Sequence, residues 1–139
     1  MNIESFLSEL PLTEQNIFKN IHQIIISADK SVTAVIEPMM GKEMIVYKAK
    51  GMMKYALAST KNHMSLHVLP IYGSQPLHSK YQSLLNKASF QKGCINFKSQ
   101  DEMPLEIVKQ LFMDCSTIDL QKIREEYLNQ KKGQKNKKP

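Results

Sequence analysis

The chain has 139 residues, 42% of them hydrophobic and 23% charged, the proportions of one soluble globular domain with a single core. Its formal charge of +6 is concentrated at one end. The last eleven residues hold five of the 19 basic side chains and no acid, which leaves 14 against 13 in residues 1–128. We therefore read residues 1–128 as one domain and residues 129–139 as a disordered, lysine-rich tail that phosphates attract only loosely. Arg124 is the sole arginine, which argues against sequence-specific nucleic-acid binding, since base readout and bidentate phosphate clamps lean on Arg.

Two cysteines, Cys94 and Cys115, are too few for a disulfide framework. No apolar run approaches the roughly 20 residues of a spanning helix, and the acidic Glu4 and Glu9 do not resemble a secretory leader. A cytosolic, reduced protein without a membrane partner is expected.

In chain order, Ile3, Phe6, Leu7 and Leu10 predict a short helix that Pro11 interrupts. Ile17, Ile21, Ile24 and Ile25 form the stripe of a second helix, capped by Thr13 and ending near Asp29. From Val32 the period falls to two, predicting strands over Val32–Glu37, Glu43–Ala49, Met52–Ser59 and His63–Leu69. Lys50 and Gly51 supply a hairpin turn and Asn62 the next reversal, and connections this short imply antiparallel pairing. Pro76 opens a helix with the stripe Leu77, Tyr81, Leu84 and Leu85, and Cys94–Phe97 reads as a further strand. Pro104 opens a helix presenting Leu105, Val108, Leu111, Phe112 and Cys115, and a weaker helix is expected over Asp119–Leu128. The fold class is α+β: an antiparallel sheet of about five strands with helices packed mainly on one face.

Three segments resemble the YdhG-like family, also called domain of unknown function 1801. They are Lys61-Asn62-His63-Met64-Ser65-Leu66-His67, then Lys92-Gly93-Cys94-Ile95-Asn96-Phe97, then Met103-Pro104-Leu105-Glu106-Ile107-Val108, in the family's order. With the leading helices the resemblance covers about Ile3 to Cys115. It implies a small α+β domain, and some relatives are described as frataxin-like iron chaperones. Iron enters only through this resemblance; the residues themselves predict no cofactor. The family's Trp/Tyr-Gly-Met-Pro is replaced here by Glu37-Pro38-Met39-Met40-Gly41-Lys42.

Met64, Leu66 and Val68 alternate with His63, Ser65 and His67 on one predicted strand, so the polar set should face away from the helix-packed core. Cys94 and Asn96 alternate with Ile95 and Phe97 and should face the same way, with Tyr47 and Tyr55 as further candidates. A half-exposed polar strand face is common in antiparallel sheets; a ligand-binding face is its functional counterpart. His63 and His67 lie about 13 Å apart along an extended strand at about 3.3 Å per residue, too far for one ion to bridge. They stand with His78 as metal candidates.

Six of nine methionines fall between residues 39 and 64. Most suit core filling, while Met39 and Met40 in a predicted turn would make a hydrophobic contact site if exposed. No phosphate loop, dinucleotide fingerprint or nucleophile elbow occurs. Three functions remain: a non-catalytic module binding a small molecule or protein, including a second copy, through the polar sheet face; a metallochaperone; and an enzyme using Cys94.

Overall fold

The computed structural model describes residues 2–39, 41–91, 93–125 and 128–129. The lysine-rich tail beyond residue 129, and Met40 of the methionine pair, lie outside the described residues.

Two helices lead, α1 over Ile3–Ser8 and α2 over Leu12–Ala28. Asn2 caps α1 by accepting a bond from the Ser5 amide. Pro11 rather than Thr13 stands at the start of α2, because proline lacks only a donor that the first turn leaves unpaired anyway. Four strands follow: β1 (Thr33–Met39), β2 (Lys42–Ala49), β3 (Met52–Ser59) and β4 (Met64–Val68). Lys50 and Gly51 both take positive φ, 52° and 78°, the requirement of a two-residue turn matched to strand twist.

The strand expected over His63–Leu69 is one residue shorter at each end, and after β4 the chain makes one helical turn, α3 (Leu69–Tyr72), where Pro70 ends the ladder by removing a donor. Ser74 then caps α4 (Gln75–Leu84), with Pro76 in its first turn. Two short strands, β5 (Ser89–Gln91) and β6 (Cys94–Phe97), precede a 3-10 turn and α5 (Leu105–Ser116). Residues 120–125 are again helical.

All strand pairs are antiparallel, in the order β1-β2-β3-β4-β6-β5. The sixth strand, β5, spans three residues, too few to show a period of two. Ile45, Tyr47, Tyr55, Leu57, Leu66, Val68, Ile95 and Phe97 point to one face and pack with Phe18, Ile21, Ile25, Tyr81, Leu111 and Phe112 of the helices. The opposite face holds a separate small cluster of Met44, Val46, Ala56 and Ala58, with Val35, Met39 and Met53 against it. No helical residue belongs to that cluster among the described residues. Met39 is therefore part of a sheet face, not a free contact site.

Candidate functional site

Strand register assembles the predicted polar group. In the antiparallel β4–β6 pair Ser65 stands opposite Asn96 and His67 opposite Cys94, the distance at which cross-strand side chains meet. The Ser65 hydroxyl donates to Asn96 Oδ1 at 2.8 Å and lies 3.3 Å from Cys94 Sγ. Cys94 Sγ is 3.0 Å from His67 Nδ1 and 3.7 Å from Nε2, which sets the sulfur over the face of the imidazole, off the in-plane lone-pair axis of Nδ1.

Two rows of side chains run across the helix-free face. One reads Ala58, Ser65, Asn96, Ser89 and the other Ala56, His67, Cys94, Gln91. The alanines stand beside Ser65 and His67 with little side chain, and beyond them come Val46 and Met44. The face is thus half apolar, over β2 and β3, and half polar, over β4, β6 and β5.

Gly93 places the start of β6. Its carbonyl accepts from the Val68 amide at 2.7 Å, and a Cβ there would meet Tyr72 Cβ at 3.0 Å. Glycine lets α3 close against the strand that carries Cys94.

Burial lowers the His67 pKa, which keeps the imidazole neutral near pH 7 with a free ring lone pair. Cys94 is half-buried and Cys115 fully buried, and burial pushes the Cys115 thiol up to about 12. Alkylation at neutral pH should therefore label Cys94 at least ten-fold faster than Cys115, because only thiolates react and only Cys94 is accessible. Peptide mapping after a timed iodoacetamide pulse checks this; equal rates would contradict it.

Tyr47 and Tyr55 require correction as site candidates: both are fully buried on the helix-packed face. Tyr47 shares the parity of Ile45, and Tyr55 that of Leu57. Their hydroxyls reach His22 Nδ1 at 2.7 Å and Asp29 Oδ2 at 2.6 Å. The metal candidates also separate. His63 precedes β4 in a turn where the Thr60 hydroxyl and amide bind its backbone, and His78 sits on α4 edge-on to Phe90. Among the described residues no three His, Cys, Asp or Glu side chains converge on one point. His67 pairs with Cys94 instead.

One polar group escaped sequence reasoning. Lys54, 2% exposed, lies 2.7 Å from Asp29, itself 1% exposed, and Asp29 also accepts from Tyr55 and from the amide and hydroxyl of Ser31. A register shift in the β2–β3 pair leaves Lys54 as the extra residue and turns it toward the helices. The only signal in the sequence was a lone charge inside an apolar strand.

The chain matches no protein-family model, no curated protein and no solved structure. Among the described residues no helix is long and apolar enough to cross a membrane. The chemistry has to be argued from these side chains.

Proposed function

We propose that the protein is a non-catalytic binding module of the reducing cytosol whose small-molecule or protein ligand seats on the helix-free sheet face, against Ser65, His67, Cys94 and Asn96. The observation that carries this reading is the β4–β6 register, which sets these four in mutual contact beside Ala56 and Ala58. Val46, Ala56, Ala58 and Ser65 are already buried, so a ligand would meet the half-exposed His67, Cys94 and Asn96, with the Ser65 hydroxyl holding Asn96 and Cys94 from beneath. The YdhG-like resemblance is a parallel proposal about ancestry; the binding reading does not depend on it. The iron-chaperone role that the resemblance implies finds little support in this donor set, because a thiol and an imidazole suit softer ions than an oxygen-rich site does.

A competing surface exists: a groove of about 580 Å³ between α2 and α5, lined by Ile24, Ala28, Leu105, Lys109 and Met113. Fragment screening by amide-detected NMR separates the two. Hits are expected to shift Ser65, His67, Cys94 and Asn96 and to weaken at least ten-fold in His67→Ala. Hits that move only the α2–α5 groove would overturn the reading.

A second reading is prompted by the cross-strand pairing of Cys94 with His67, since an imidazole whose ring turns its Nδ1 lone pair onto the neighbouring thiol can activate it as a nucleophile. No carboxylate or amide orients the far side of the His67 ring among the described residues, and we rank this reading second. Turnover of a panel of activated esters that is lost in both Cys94→Ser and His67→Ala would reverse the ranking.

A further inference from the structure

We infer that the groove between α2 and α5 binds an amphiphilic carboxylate, a small acid whose apolar body lies between the helices and whose anionic head meets Lys109. The site is separate from the sheet face and takes a different class of ligand, so either can fail without the other.

Helical periodicity makes the groove. On α2, Phe18, Ile21 and Ile25 enter the core, and Ile24 and Ala28 stand beside that stripe, only partly buried. On α5, Val108, Leu111, Phe112 and Cys115 enter the core, and Leu105, Lys109 and Met113 recur at i, i+4 and i+8 on the neighbouring flank. Where the two flanks meet they enclose about 580 Å³, a volume within the range of small-molecule sites. The small Ser27 and Ala28 keep the α2 wall low. Met113 stays 54% exposed, apolar area that a ligand would take from water.

The polar groups select the charge. Asn20, Gln23, Ser27 and Lys109 complete the lining, and all four can donate hydrogen bonds. No carboxylate lines the groove among the described residues. The described ion pairs engage Lys48, Lys50, Lys54 and Lys80, not Lys109. On α2 the described side chains that bond within the protein are Glu14, Gln15 and His22, not Asn20, Gln23 or Ser27. One cation and three uncommitted polar groups around an apolar floor complement an anion with an apolar body. An alkylammonium would meet Lys109 as a like charge. The same residue argues against a second copy of the chain, because a two-fold axis through the groove would bring Lys109 toward its own copy with no acid between them.

Helix rise sets the size of the body. Leu105 to Met113 spans about two turns, roughly 12 Å, which an extended chain of about ten carbons matches. A helical side chain leans toward the N-terminus of its helix, so Lys109 serves the Leu105 end and leaves the run to Met113 for the chain. Each methylene laid on the floor should tighten binding about four-fold.

The test is amide-detected NMR of the full-length protein titrated with decanoate, held below the concentration at which it self-associates. Shifts are expected at Ile24, Ala28, Leu105, Lys109 and Met113, with Ser65, His67 and Cys94 unmoved. Octanoate should bind at least ten-fold more weakly, and decanol and decyltrimethylammonium at least five-fold more weakly. Lys109→Met, which keeps an apolar stem and removes the charge, should cost decanoate at least five-fold and leave decanol within two-fold. Ser27→Phe, at an exposed position, should fill the groove and weaken both at least ten-fold; the ligand series on wild type is independent of how well either variant folds. The inference is overturned if decanol binds as tightly as decanoate, if Lys109→Met binds decanoate within two-fold of wild type, or if decanoate moves nothing or moves amides outside the groove. It is also overturned if groove amides shift with protein concentration alone while the mass doubles, which gives the groove to a second copy. Groove shifts with carboxylates but no fragment on the sheet face would keep this inference and remove the sheet-face reading.

Discussion

Lys54→Ala is expected to lower the free energy of unfolding by about 3–5 kcal/mol, the usual penalty for removing one partner of a buried ion pair. The cost is not the strength of the pair but the state of what remains: Asp29, 1% exposed, would keep a charge with its cation gone. Ser31 and Tyr55 would still donate to it, which is why the figure is not larger. Asp29→Ala should cost a similar amount by stranding the ammonium. Asp29→Asn combined with Lys54→Met should cost clearly less than the two single losses together, because neither charge is then buried alone. Urea denaturation with unchanged slope is the measurement. A loss under about 1 kcal/mol in Lys54→Ala would mean that water already reaches the carboxylate.

The same residue predicts the acid limb of the stability curve. Burial alone would push the Asp29 pKa up, but hydrogen bonds from Lys54, Ser31 and Tyr55 outweigh it and hold the value below the ordinary one. A depressed folded pKa means stability that is fully present above the unfolded value, about 3.9, and lost as pH falls through the folded value. His22 and His67 act at higher pH. Burial lowers both, so below about 6.5 the unfolded chain takes up protons that the folded one refuses. Stability should therefore begin to fall below about pH 6.5, with a second decline below about pH 4. In Asp29→Asn the second decline should shrink, leaving the first in place. Thermal melts from pH 3 to 8 provide the comparison.

The polar site was legible because a strand's period of two is unambiguous where Leu66 and Ile95 alternate with His67 and Cys94. One parity rule carried Ser65, His67, Cys94 and Asn96 onto the same face, and antiparallel pairing did the rest. The same rule sends Tyr47 and Tyr55 to the helices, with Ile45 and Leu57. His63 failed for another reason: the turn at Thr60 holds its backbone, so the residue precedes the ladder. The apolar half of the second face was hidden because Ala56, Ala58 and Val46 look like any strand interior, whichever side they serve. Lys54 was hidden more deeply. A bulge breaks the parity on which every such reading depends, and a lone charge inside an apolar strand does not tell which face the bulge turns it to.

Phe112→Ala should destabilise the fold by about 3–5 kcal/mol, and it tests whether core and ion pair are one unit. Phe112 is fully buried on α5, with its ring edge-on to Tyr55 at a centroid separation of 4.8 Å. Tyr55 in turn donates to Asp29, so the benzyl group braces the hydroxyl that helps hold the carboxylate. Its removal leaves a cavity near the buried Lys54–Asp29 pair, and water drawn to those charges would ease the local pKa shifts. The second acid decline should then weaken in Phe112→Ala, as it does in Asp29→Asn, although residue 112 does not titrate. Met113→Ala supplies the control: that side chain is 54% exposed on the same helix and should change stability by less than about 0.5 kcal/mol. If Phe112→Ala costs its full amount while the acid profile keeps its shape, the aromatic layer and the Lys54–Asp29 pair are independent, and α5 serves the core alone. If the profile flattens, the bulge that buries Lys54 is sustained by the helix packed over it.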